Sequence, residues 1–421
     1  MPKVWIINHY ATDPSNSGGT RHFHFAQEFP RHGWQPIIIA SSLSLHTGKQ
    51  RLEDNQVSKE ERIDNVHFLW IRTPTYRGNG LGRMFNMLTF SIRVLMPAHT
   101  SGLEPPDLII GSSVHPFAAL AGYFLAKKHK VPFIFEVRDL WPQTLIDLGR
   151  LSPNSMTARI MRALESFLYR KSNRVITLLP KAADYIVRFG VPAEKIIWIS
   201  NGADLQSFPV QPSPLAKLET TPLTFMYFGA HGTANALECV IQAFGIAKEK
   251  YGGEHLRLRL IGDGPAKPSL KALALSLGLQ DVVSFEDAVP KKQIPLLATK
   301  ADVFIISVRN APDLYRYGIS MNKIFDYLAS ARPILIGVDA ANNPVAEAQA
   351  GITVKPEDPA AFAHGIGLFL QMSTEERLEM GMRGRQHLEK KYSYEELAIK
   401  YCAILDSTLR GVSGNSVFKA G

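Results

Sequence analysis

The sequence predicts an α/β protein built from two Rossmann-like units in tandem. Short runs of β-branched and aromatic residues alternate with helical patterns, which is typical of βαβ units around a parallel sheet. The alternation restarts after residue 222, beyond a stretch from 205 to 222 with four prolines and little periodicity. A chain of 421 residues is also long enough for two domains. We therefore expect a domain at 1–205, a domain at 206–390, a last helix at 391–410 and a disordered tail at 411–421.

Each predicted strand is a short apolar run followed by a glycine or polar loop. The expected strands of the first unit are 4–8, 36–40, 66–71, 108–111, 131–136, 174–178 and 196–199. Those of the second unit are 224–228, 256–261, 282–285, 303–307, 333–338 and 351–354. The carboxyl ends of parallel strands form one edge of a sheet, where such folds bind ligands.

Charge is distributed unevenly along the chain. Residues 1–205 contain 24 Lys and Arg against 16 Asp and Glu, whereas residues 206–421 contain 23 against 22. A basic first half suits an anionic membrane surface, a phosphorylated substrate or nucleic acid, or it serves solubility alone. No nucleic-acid recognition motif accompanies the charge, so we expect no nucleic-acid partner.

Cysteine content and hydropathy indicate a cytoplasmic protein. The two cysteines, Cys239 and Cys402, cannot form a disulfide framework, which fits a reducing compartment. The first residues resemble a buried strand and not a signal peptide. The longest apolar stretch, 117–126, is about half of what a bilayer span needs. We expect a soluble or peripheral protein.

One segment, 83–96, combines large apolar side chains with flanking arginines. Arg83 and Arg93 flank a run that includes Phe85 and Phe90. This composition suits a helix that lies in a membrane interface, so we expect these four residues to contact the membrane or the acceptor. The alternative is an ordinary helix half-buried in the first domain.

The segment from 315 to 333 holds the most informative pair of charges. Lys323 and Asp326 are three residues apart just inside a predicted helix start, so they share one helix face. Free backbone N–H groups at a helix start favour phosphate, and a carboxylate one turn later can bind a ribose diol. The pair predicts half of a nucleoside-diphosphate site. An amphipathic helix with a solvated lysine is the alternative.

Three glycine loops follow predicted strands. They are 17–21 with Gly18 and Gly19, 229–235 with Gly229, and 262–265 with Gly264. Glycine lets the backbone approach a phosphate closely, although each loop alone is only a turn. Together with Lys323 and Asp326 they predict a nucleotide site.

Two polar residues follow strands of the first unit. His115 and Asp139 lie just beyond the ends of the strands at 108–111 and 131–136. A carboxylate or imidazole at that edge could orient or deprotonate a hydroxyl. The alternatives are a helix cap or core role for His115 and a cap or turn role for Asp139. No Asp-X-Asp triplet occurs, so we expect neither a metal-clamped diphosphate nor a cofactor.

Five blocks of the sequence carry a family resemblance: GGTRHFHFAQEF, EVRDLWPQ, YFGAHGTANALECVIQAF, LRLIGDGPAKPSL and YRYGISMNKIFDYLASARPIL. Through these blocks the chain resembles the retaining family-4 glycosyltransferases with the GT-B fold. In that fold two Rossmann-like domains face a central cleft and a last helix returns to the first domain. The RDLWP and YGISMNKIFDYLAS blocks are most similar to the O-antigen L-fucosamine-transferase-like branch.

The resemblance implies a role for individual residues. Donor-binding residues would be Gly18, Gly19, Gly229, Gly264, Ala288, Val289, Ser320, Asn322, Lys323 and Asp326. His115 would point at the donor sugar, Asp139 would lie near the acceptor, and Lys323 would hold the diphosphate.

The sequence also departs from the family pattern. Gly318 stands where the family has the first Glu of its E-x7-E motif, and Asp326 replaces the second Glu. The basic residue expected after the strand that precedes Gly229 is missing. Arg309, Arg316 or Lys323 are the candidates to replace its charge. A remodelled sugar pocket would suit an N-acetylated or 6-deoxy sugar.

The function implied is metal-independent transfer of a sugar from a nucleotide donor, UDP-linked by expectation, with retention of configuration. The expected acceptor is a lipid-linked saccharide at the anionic inner face of the cell membrane, in O-antigen or capsule synthesis. The alternative with the same architecture is a non-hydrolysing nucleotide-sugar 2-epimerase.

Overall fold

The structure is a computed structural model. It describes residues 1–16, 18–45, 48–76, 78, 80–113, 115–209 and 222–417, with side chains as far as residue 411. The chain divides into two compact units, residues 1–200 with 394–421, and residues 201–393. These bounds lie a few residues from the predicted divisions at 205 and 391. Most of the predicted connection at 205–222 lies outside the described residues.

The first unit is built on an eight-stranded sheet with the order β3-β4-β2-β1-β5-β6-β7-β8. All neighbours are parallel except the antiparallel pair β3 and β4. β1 lies at the centre and pairs with both β2 and β5, so chain connectivity reverses there. The strands are β1 (Lys3–Ile7), β2 (Gln35–Ser41), β3 (Ser58–Ile63), β4 (Val66–Ile71), β5 (Leu108–Ser113), β6 (Phe133–Val137), β7 (Arg174–Thr177) and β8 (Ile196–Trp198).

Helices cover this sheet because their apolar faces match its buried strands. They are α1 (Arg21–Glu28), α2 (Leu81–Leu95), α3 (Pro97–Thr100), α4 (Pro116–His129), α5 (Gln143–Asp147), α6 (Met156–Lys171), α7 (Ala182–Ile186) and, from the end of the chain, α16 (Tyr394–Val417). The last helix belongs to the first unit since Tyr394, Leu397, Tyr401 and Leu405 are buried in that unit's core.

The second unit is a six-stranded parallel sheet with the order β11-β10-β9-β12-β13-β14. Its strands are β9 (Leu223–Phe228), β10 (Leu256–Ile261), β11 (Val283–Glu286), β12 (Val303–Ser307), β13 (Ile334–Gly337) and β14 (Gly351–Val354). In chain order this is the 3-2-1-4-5-6 arrangement of a dinucleotide-type fold, with the reversal between β9 and β12. Each face of the sheet carries its own apolar core.

The helices of the second unit follow its strands. They are α8 (Leu237–Tyr251), α9 (Lys267–Ser276), α10 (Ile294–Ala298), α11 (Pro312–Tyr315), α12 (Asn322–Ala329), α13 (Pro344–Glu347), α14 (Pro359–Gln371) and α15 (Thr374–Lys391). Local signals fix several of their starts. Ser373 and Glu376 form a reciprocal capping box at α15, for example.

The predicted fold class is confirmed, with two corrections. All thirteen predicted strands are present within two residues of their expected ends. β3 was not predicted, because its charged sequence SKEERI is that of an exposed edge strand and lacks an apolar face. The tail predicted from 411 is wrong as far as Val417, since α16 continues to that residue. No proline interrupts its hydrogen-bond ladder there.

Candidate functional site

In the second unit, the predicted donor residues converge at the carboxyl edge of the sheet. The loop after β9 holds Gly229, the loop after β10 holds Gly264, and α12 begins at Asn322 beyond β12. β9 and β12 are neighbours, so this edge is the place where the strand order reverses. Open α/β sheets bind ligands at such a point.

Lys323 is held at this edge by a closed set of hydrogen bonds, which we call the Lys323 network. Its Nζ donates to Tyr227 Oη at 2.8 Å and to Asn235 Oδ1 at 2.7 Å. Tyr227 Oη and Asn235 Nδ2 each donate in turn to the carbonyl of Ala230 at 2.8 Å. The ammonium also lies 4.4 Å from the centre of the Tyr227 ring. An ammonium has three N–H donors, so one donor is left over.

The electrostatics of Lys323 favour an anionic ligand. Among the described residues no carboxylate forms an ion pair with it, and both of its side-chain partners are neutral. Burial lowers the pKa of Lys323 to about 7. A diphosphate would reverse this penalty because it supplies the missing negative charge.

The glycines of these loops are required by close packing. A Cβ on Gly229, where φ is +150°, would lie 3.2 Å from Lys323 Cε. A Cβ on Gly264 would lie 2.4 Å from the carbonyl oxygen of His231. The glycine loops therefore pack against each other and against the lysine, which brings three backbone segments to one place.

Asp326 lies one turn beyond Lys323, but its carboxylate is already engaged. It is 5% exposed and accepts a hydrogen bond from Lys291 Nζ. Burial raises the pKa of Asp326, and the charge of Lys291 opposes that rise. Sequence reasoning missed Lys291, although its position just after β11 and Pro290 is a signal that could have identified it. A ribose diol would have to share Asp326 with Lys291.

The other predicted donor residues occupy different environments. Ser320 accepts a hydrogen bond at its Oγ from the amide of Asn201, 2.8 Å away. Asn322 is the first residue of α12, whose start has no side-chain cap. Ala288 is exposed after β11, whereas Val289 packs against the core. The amide of Ile324 donates to the carbonyl of Met321, so the first two amides of α12, those of Asn322 and Lys323, are the ones that a ligand could use.

Of the three basic residues considered as substitutes for the missing charge, Lys323 alone has no acidic partner within the described residues. Arg309 forms ion pairs with Glu238 and Glu357. Arg316 pairs with Asp313. Gly318 has a φ of +106°, a backbone conformation in which the family's glutamate would be strained.

His231 lies in the loop after β9, where the family resemblance led us to expect a basic residue. It is fully buried between the glycine loops, and neither ring nitrogen has a hydrogen-bond partner in the described residues. Burial lowers its pKa to about 4, so the ring is neutral at pH 7. Its burial beside Gly262 and Gly264 explains why histidine adds no positive charge here.

In the first unit, His115 lies at the corresponding edge of the sheet, beside β1. It is 2% exposed, and its Nε2 lies 2.7 Å from Nδ1 of His9. Its Nδ1 accepts a hydrogen bond from the amide of Ala118, so it caps α4. Burial, aided by the charge of Arg83, lowers the pKa of His115 to about 3. Both ring nitrogens are thus occupied, which is the cap role that the sequence left as an alternative.

The glycine loop with Gly18 and Gly19 lies near Asp139 in the first unit, because Arg138, the residue before Asp139, contacts Gly19. The Arg138 guanidinium approaches the Cβ position of Gly19 to 3.1 Å, and Asp139 is exposed beside it. Arg21, from the same glycine loop, turns inward and donates to the buried Glu136. It is therefore part of the core and does not face a ligand.

The four residues predicted to contact membrane or acceptor differ in exposure. Phe85 is 63% exposed, whereas Phe90 is fully buried and stacks on His9 with ring centres 4.5 Å apart. The prediction for Phe90 is wrong because it lies on the inward face of α2. Arg83 donates to Tyr10 Oη at 3.4 Å, and Arg93 donates to a backbone carbonyl.

The outward face of α2 is nonetheless apolar. We call this face the α2 stripe, which consists of Leu81, Met84, Phe85, Leu88, Ile92 and, just past the helix, Met96. Their spacing of three to four residues places them along one side of the helix.

None of the helices in the described part of the chain has the length and apolar character needed to cross a bilayer. Within the same residues, no group of three or more His, Cys, Asp or Glu side chains could hold a metal ion.

Comparisons with known families match both halves of the chain to sugar transferases. Residues 18–202 match the model described as "Glycosyl transferase 4-like domain", and residues 222–372 match "Glycosyl transferases group 1".

Two curated relatives are glycosyltransferases by name. The chain is 24% identical over 241 residues to the putative colanic acid biosynthesis glycosyltransferase WcaL of Escherichia coli, an alignment that covers 57% of this chain and 58% of that protein. It is 23% identical over 344 residues to the probable glycosyltransferase WbjE of Pseudomonas aeruginosa, covering 79% and 81%.

Solved structures establish a GT-B fold. Sucrose-phosphate synthase of Thermosynechococcus elongatus superposes with a TM-score of 0.74 at 16% identity, covering 98% of this chain and 100% of that one. Anabaena HepE, solved with UDP and glucose, gives 0.66 at 16% identity, covering 97% and 100%. WaaG, a glycosyltransferase of lipopolysaccharide biosynthesis, gives 0.65 at 13% identity, covering 96% and 99%.

Proposed function

Because both halves of this chain are glycosyltransferase domains, we propose that it transfers a sugar from a nucleoside-diphosphate donor to a lipid-linked saccharide. The observation that carries the proposal is the Lys323 network. It holds an ammonium without an acidic partner at the strand-reversal edge of the second unit, with one N–H donor left over. A diphosphate is the ligand whose charge and oxygen atoms match that group.

The nucleotide is proposed to be uridine diphosphate. HepE, which shares the fold, binds UDP according to its structure. In this chain the uncapped start of α12 would add backbone N–H groups to the phosphate site. Asp326 would accept hydrogen bonds from the ribose diol, with Lys291 fixing its orientation.

The proposed reaction retains the configuration of the sugar. The bond between the anomeric carbon and the diphosphate oxygen breaks, and the acceptor oxygen bonds to the same face of that carbon. The acceptor proton passes to the departing diphosphate oxygen, so the reaction needs no enzymic nucleophile. Lys323 and the α12 amides would stabilise the negative charge that develops on the leaving group. Asp139 is proposed to contact the acceptor; a contact of His115 with the sugar would require one of its ring nitrogens to leave His9 or the amide of Ala118.

The donor sugar is proposed to be N-acetylated or 6-deoxy. Gly318 replaces a glutamate whose carboxylate would contact sugar hydroxyls. Its φ of +106° favours glycine, so no side chain extends from this position. Fewer polar groups around the sugar suit a substrate that has lost a hydroxyl or carries an acetamido group.

The acceptor is proposed to be a saccharide linked to a lipid diphosphate at the cytoplasmic membrane surface. The α2 stripe would insert among lipids through its most exposed side chains, Leu81, Phe85 and Ile92, while the basic first half is attracted to anionic headgroups. WcaL is named for colanic acid synthesis and WaaG for lipopolysaccharide. An envelope polysaccharide such as O-antigen or capsule is the product class that fits.

A screen of nucleotides tests the donor site. Thermal shift and calorimetry with UDP, GDP, ADP and dTDP should select one nucleoside diphosphate, and Lys323→Met should weaken its binding about 10- to 100-fold, the value of a charged hydrogen bond. Lys250→Met is the matched control, because Lys250 lies over the Tyr251 ring on the surface of α8. Equal nucleotide affinity in both variants would contradict the assignment of Lys323 to the diphosphate site.

A second assay separates transfer from epimerisation. An epimerase converts its nucleotide sugar without any acceptor, whereas a transferase needs one and releases free UDP. NMR of the anomeric proton in the product reports retention or inversion, and EDTA reports whether a metal is needed. Conversion without acceptor would favour the 2-epimerase.

A further inference from the structure

The first unit contains a cavity in which only Gly18 and Gly19, expected from the family resemblance to bind the donor, have been given a role so far. It opens where β1 and β2 end and has a volume of about 110 Å³. Pockets that enclose whole ligands have about 300–1,000 Å³, so this one suits a single charged group of a larger molecule. Its lining includes Tyr10, Gly18, Gly19, Arg51, Trp70 and Arg138.

The two arginines of the cavity differ in their partners. Arg51 is neutralised, because it forms an ion pair with Asp13 and its guanidinium lies 4.3 Å from the centre of the Trp70 ring. In the part of the chain that the structure describes, the Arg138 guanidinium makes no hydrogen bond and no ion pair. The cavity therefore contains one guanidinium whose N–H donors are open to a ligand.

Nearby carboxylates act on Arg138 only through space, since burial lowers its pKa and the charges of Glu136 and Asp139 oppose that fall. Glu136 is fully buried and accepts hydrogen bonds from Arg21, His22, Ser112 and Tyr401. Asp139 is exposed to solvent. A half-buried guanidinium without a hydrogen-bond partner has lost part of its hydration, and an anion that binds there would supply the missing hydrogen bonds.

The backbone beside Arg138 can also receive an anion. The amides of Gly18 and Gly19 donate no recorded hydrogen bond to any residue that the structure describes. Gly19 also gives Arg138 room, since a Cβ would lie 3.1 Å from its Nη2. A planar guanidinium with neighbouring N–H groups matches the oxygen atoms of a phosphate or carboxylate.

The cavity adjoins the helix proposed to meet the membrane. Tyr10 lines the cavity, and its hydroxyl accepts a hydrogen bond from Arg83 of α2. A lipid-linked acceptor held at the α2 stripe would thus have a charged group close to Arg138.

We propose that this cavity binds a negatively charged group of the acceptor through Arg138 and the amides of Gly18 and Gly19, a role that replaces the donor contact expected for the two glycines. The class of acceptor is therefore anionic, with either a lipid diphosphate or an acidic sugar as the source of the charge. This inference rests on the proposed transferase function and adds the acceptor's chemistry to it.

Four probes distinguish the two sources. Farnesyl diphosphate and farnesol form one pair, and methyl glucuronide and methyl glucoside form the other. Calorimetry on the full chain, with and without saturating UDP, should show binding of one anionic probe and at least tenfold weaker binding of its neutral match. Equal binding of both members in each pair, or no binding of any probe, would overturn the proposal.

Variants then test the residue. Arg138→Met should weaken the bound anionic probe at least tenfold and leave the affinity for UDP unchanged. Arg138→Lys should recover part of the affinity, and Arg188→Met, at an exposed arginine of the same unit, should change nothing. Loss of UDP binding in Arg138→Met would assign the arginine to the donor and overturn the proposal. If the wild type binds the anionic probe without UDP but never binds UDP, the transferase proposal fails separately.

Discussion

The ammonium of Lys323 and the amide oxygen of Asn235 lie 2.7 Å apart, although 88 residues separate them in the chain. Asn235 ends the loop after β9, and Lys323 begins α12, so the contact ties the two segments that border the strand reversal. Tyr227 and Asn235 both donate to the carbonyl of Ala230, which fixes the orientation of each side chain. The lysine thus reaches, from another helix, the loop where a basic residue was expected.

Substitutions at Asn235 test whether this contact sets the charge of the site. Asn235→Asp places a carboxylate beside Lys323, which neutralises the ammonium and should weaken UDP binding about tenfold or more. Asn235→Leu removes one acceptor and should weaken binding less, because Tyr227 still holds the lysine. Calorimetry measures both affinities, and Ser276→Leu on the surface of α9 is a neutral control. Tighter binding by Asn235→Asp would contradict the role of free positive charge.

The lowered pKa of Lys323 predicts how donor binding depends on pH. Burial brings that pKa to about 7, so the ammonium becomes neutral as pH rises above 7. UDP affinity should therefore fall between pH 7 and 9, by up to about tenfold per pH unit. In Lys323→Met the fall should disappear. A wild-type affinity that stays constant over this range would show that the ammonium does not bind the diphosphate.

The same lysine affects the stability of the ligand-free protein in the opposite direction. Its pKa is lower in the folded than in the unfolded chain, so the unfolded chain binds more protons between the two pKa values. Stability from this group is therefore gained as pH rises above about 7. Comparing urea unfolding of the wild type and Lys323→Met at pH 6.5 and 9 isolates the difference.

Asp326 is predicted to recognise ribose. Asp326→Asn should reduce the preference for UDP over 2′-deoxy-UDP, because the carboxylate is the proposed acceptor for the diol. Lys291→Met should also weaken UDP, since it frees the orientation of Asp326. Competition binding with the two nucleotides gives the ratio directly. An unchanged ratio in Asp326→Asn would place the ribose elsewhere.

Glu136 is predicted to be the main polar contributor to stability in the first unit. Burial would raise its pKa, but Arg21 and His22 hold it well below the usual range. Glu136→Leu removes the carboxylate from the buried Arg21, whose hydrogen bonds to the carbonyls of Ile199 and Ser200 do not neutralise its charge, and this costs about 3–5 kcal/mol. Tyr401→Phe removes a single hydrogen bond and should cost about 1 kcal/mol. Urea unfolding measures both free energies, and similar values would refute the charge argument.

The pH dependence of Glu136 has a definite sign. Its folded pKa is depressed, so its stabilisation is present above pH ~4.5 and is lost as pH falls towards the folded pKa. The wild type should therefore lose more stability on acidification than Glu136→Gln does.

Phe85 tests the membrane surface. Phe85→Glu should reduce cosedimentation with anionic liposomes several-fold at low salt, since it places a charge in the α2 stripe. Ile246→Glu, at an exposed apolar residue of α8 in the other unit, is the matched control. Equal loss of binding in both variants would indicate a general charge effect.

Sequence alone determined the fold class and identified Lys323 and Asp326 as a charged pair on one helix. Short apolar runs located thirteen strands, because a buried strand is a continuous apolar run and can be recognised without knowledge of its neighbours in the sheet. The spacing of Lys323 and Asp326 placed them on one helix face, and that holds in α12. The edge strand β3 was not predicted, because its side chains are mostly charged and solvated and it therefore lacks the apolar run used to recognise strands.

Only the tertiary structure decided what each polar residue touches. Lys323 and Asn235 meet across β9 and α12, Asp326 pairs with Lys291, and His115 is enclosed by His9 and Ala118. Phe85 and Phe90 are five residues apart on one helix, yet one faces solvent and the other the core. Such contacts depend on the packing of distant segments, and local spacing carries no information about them.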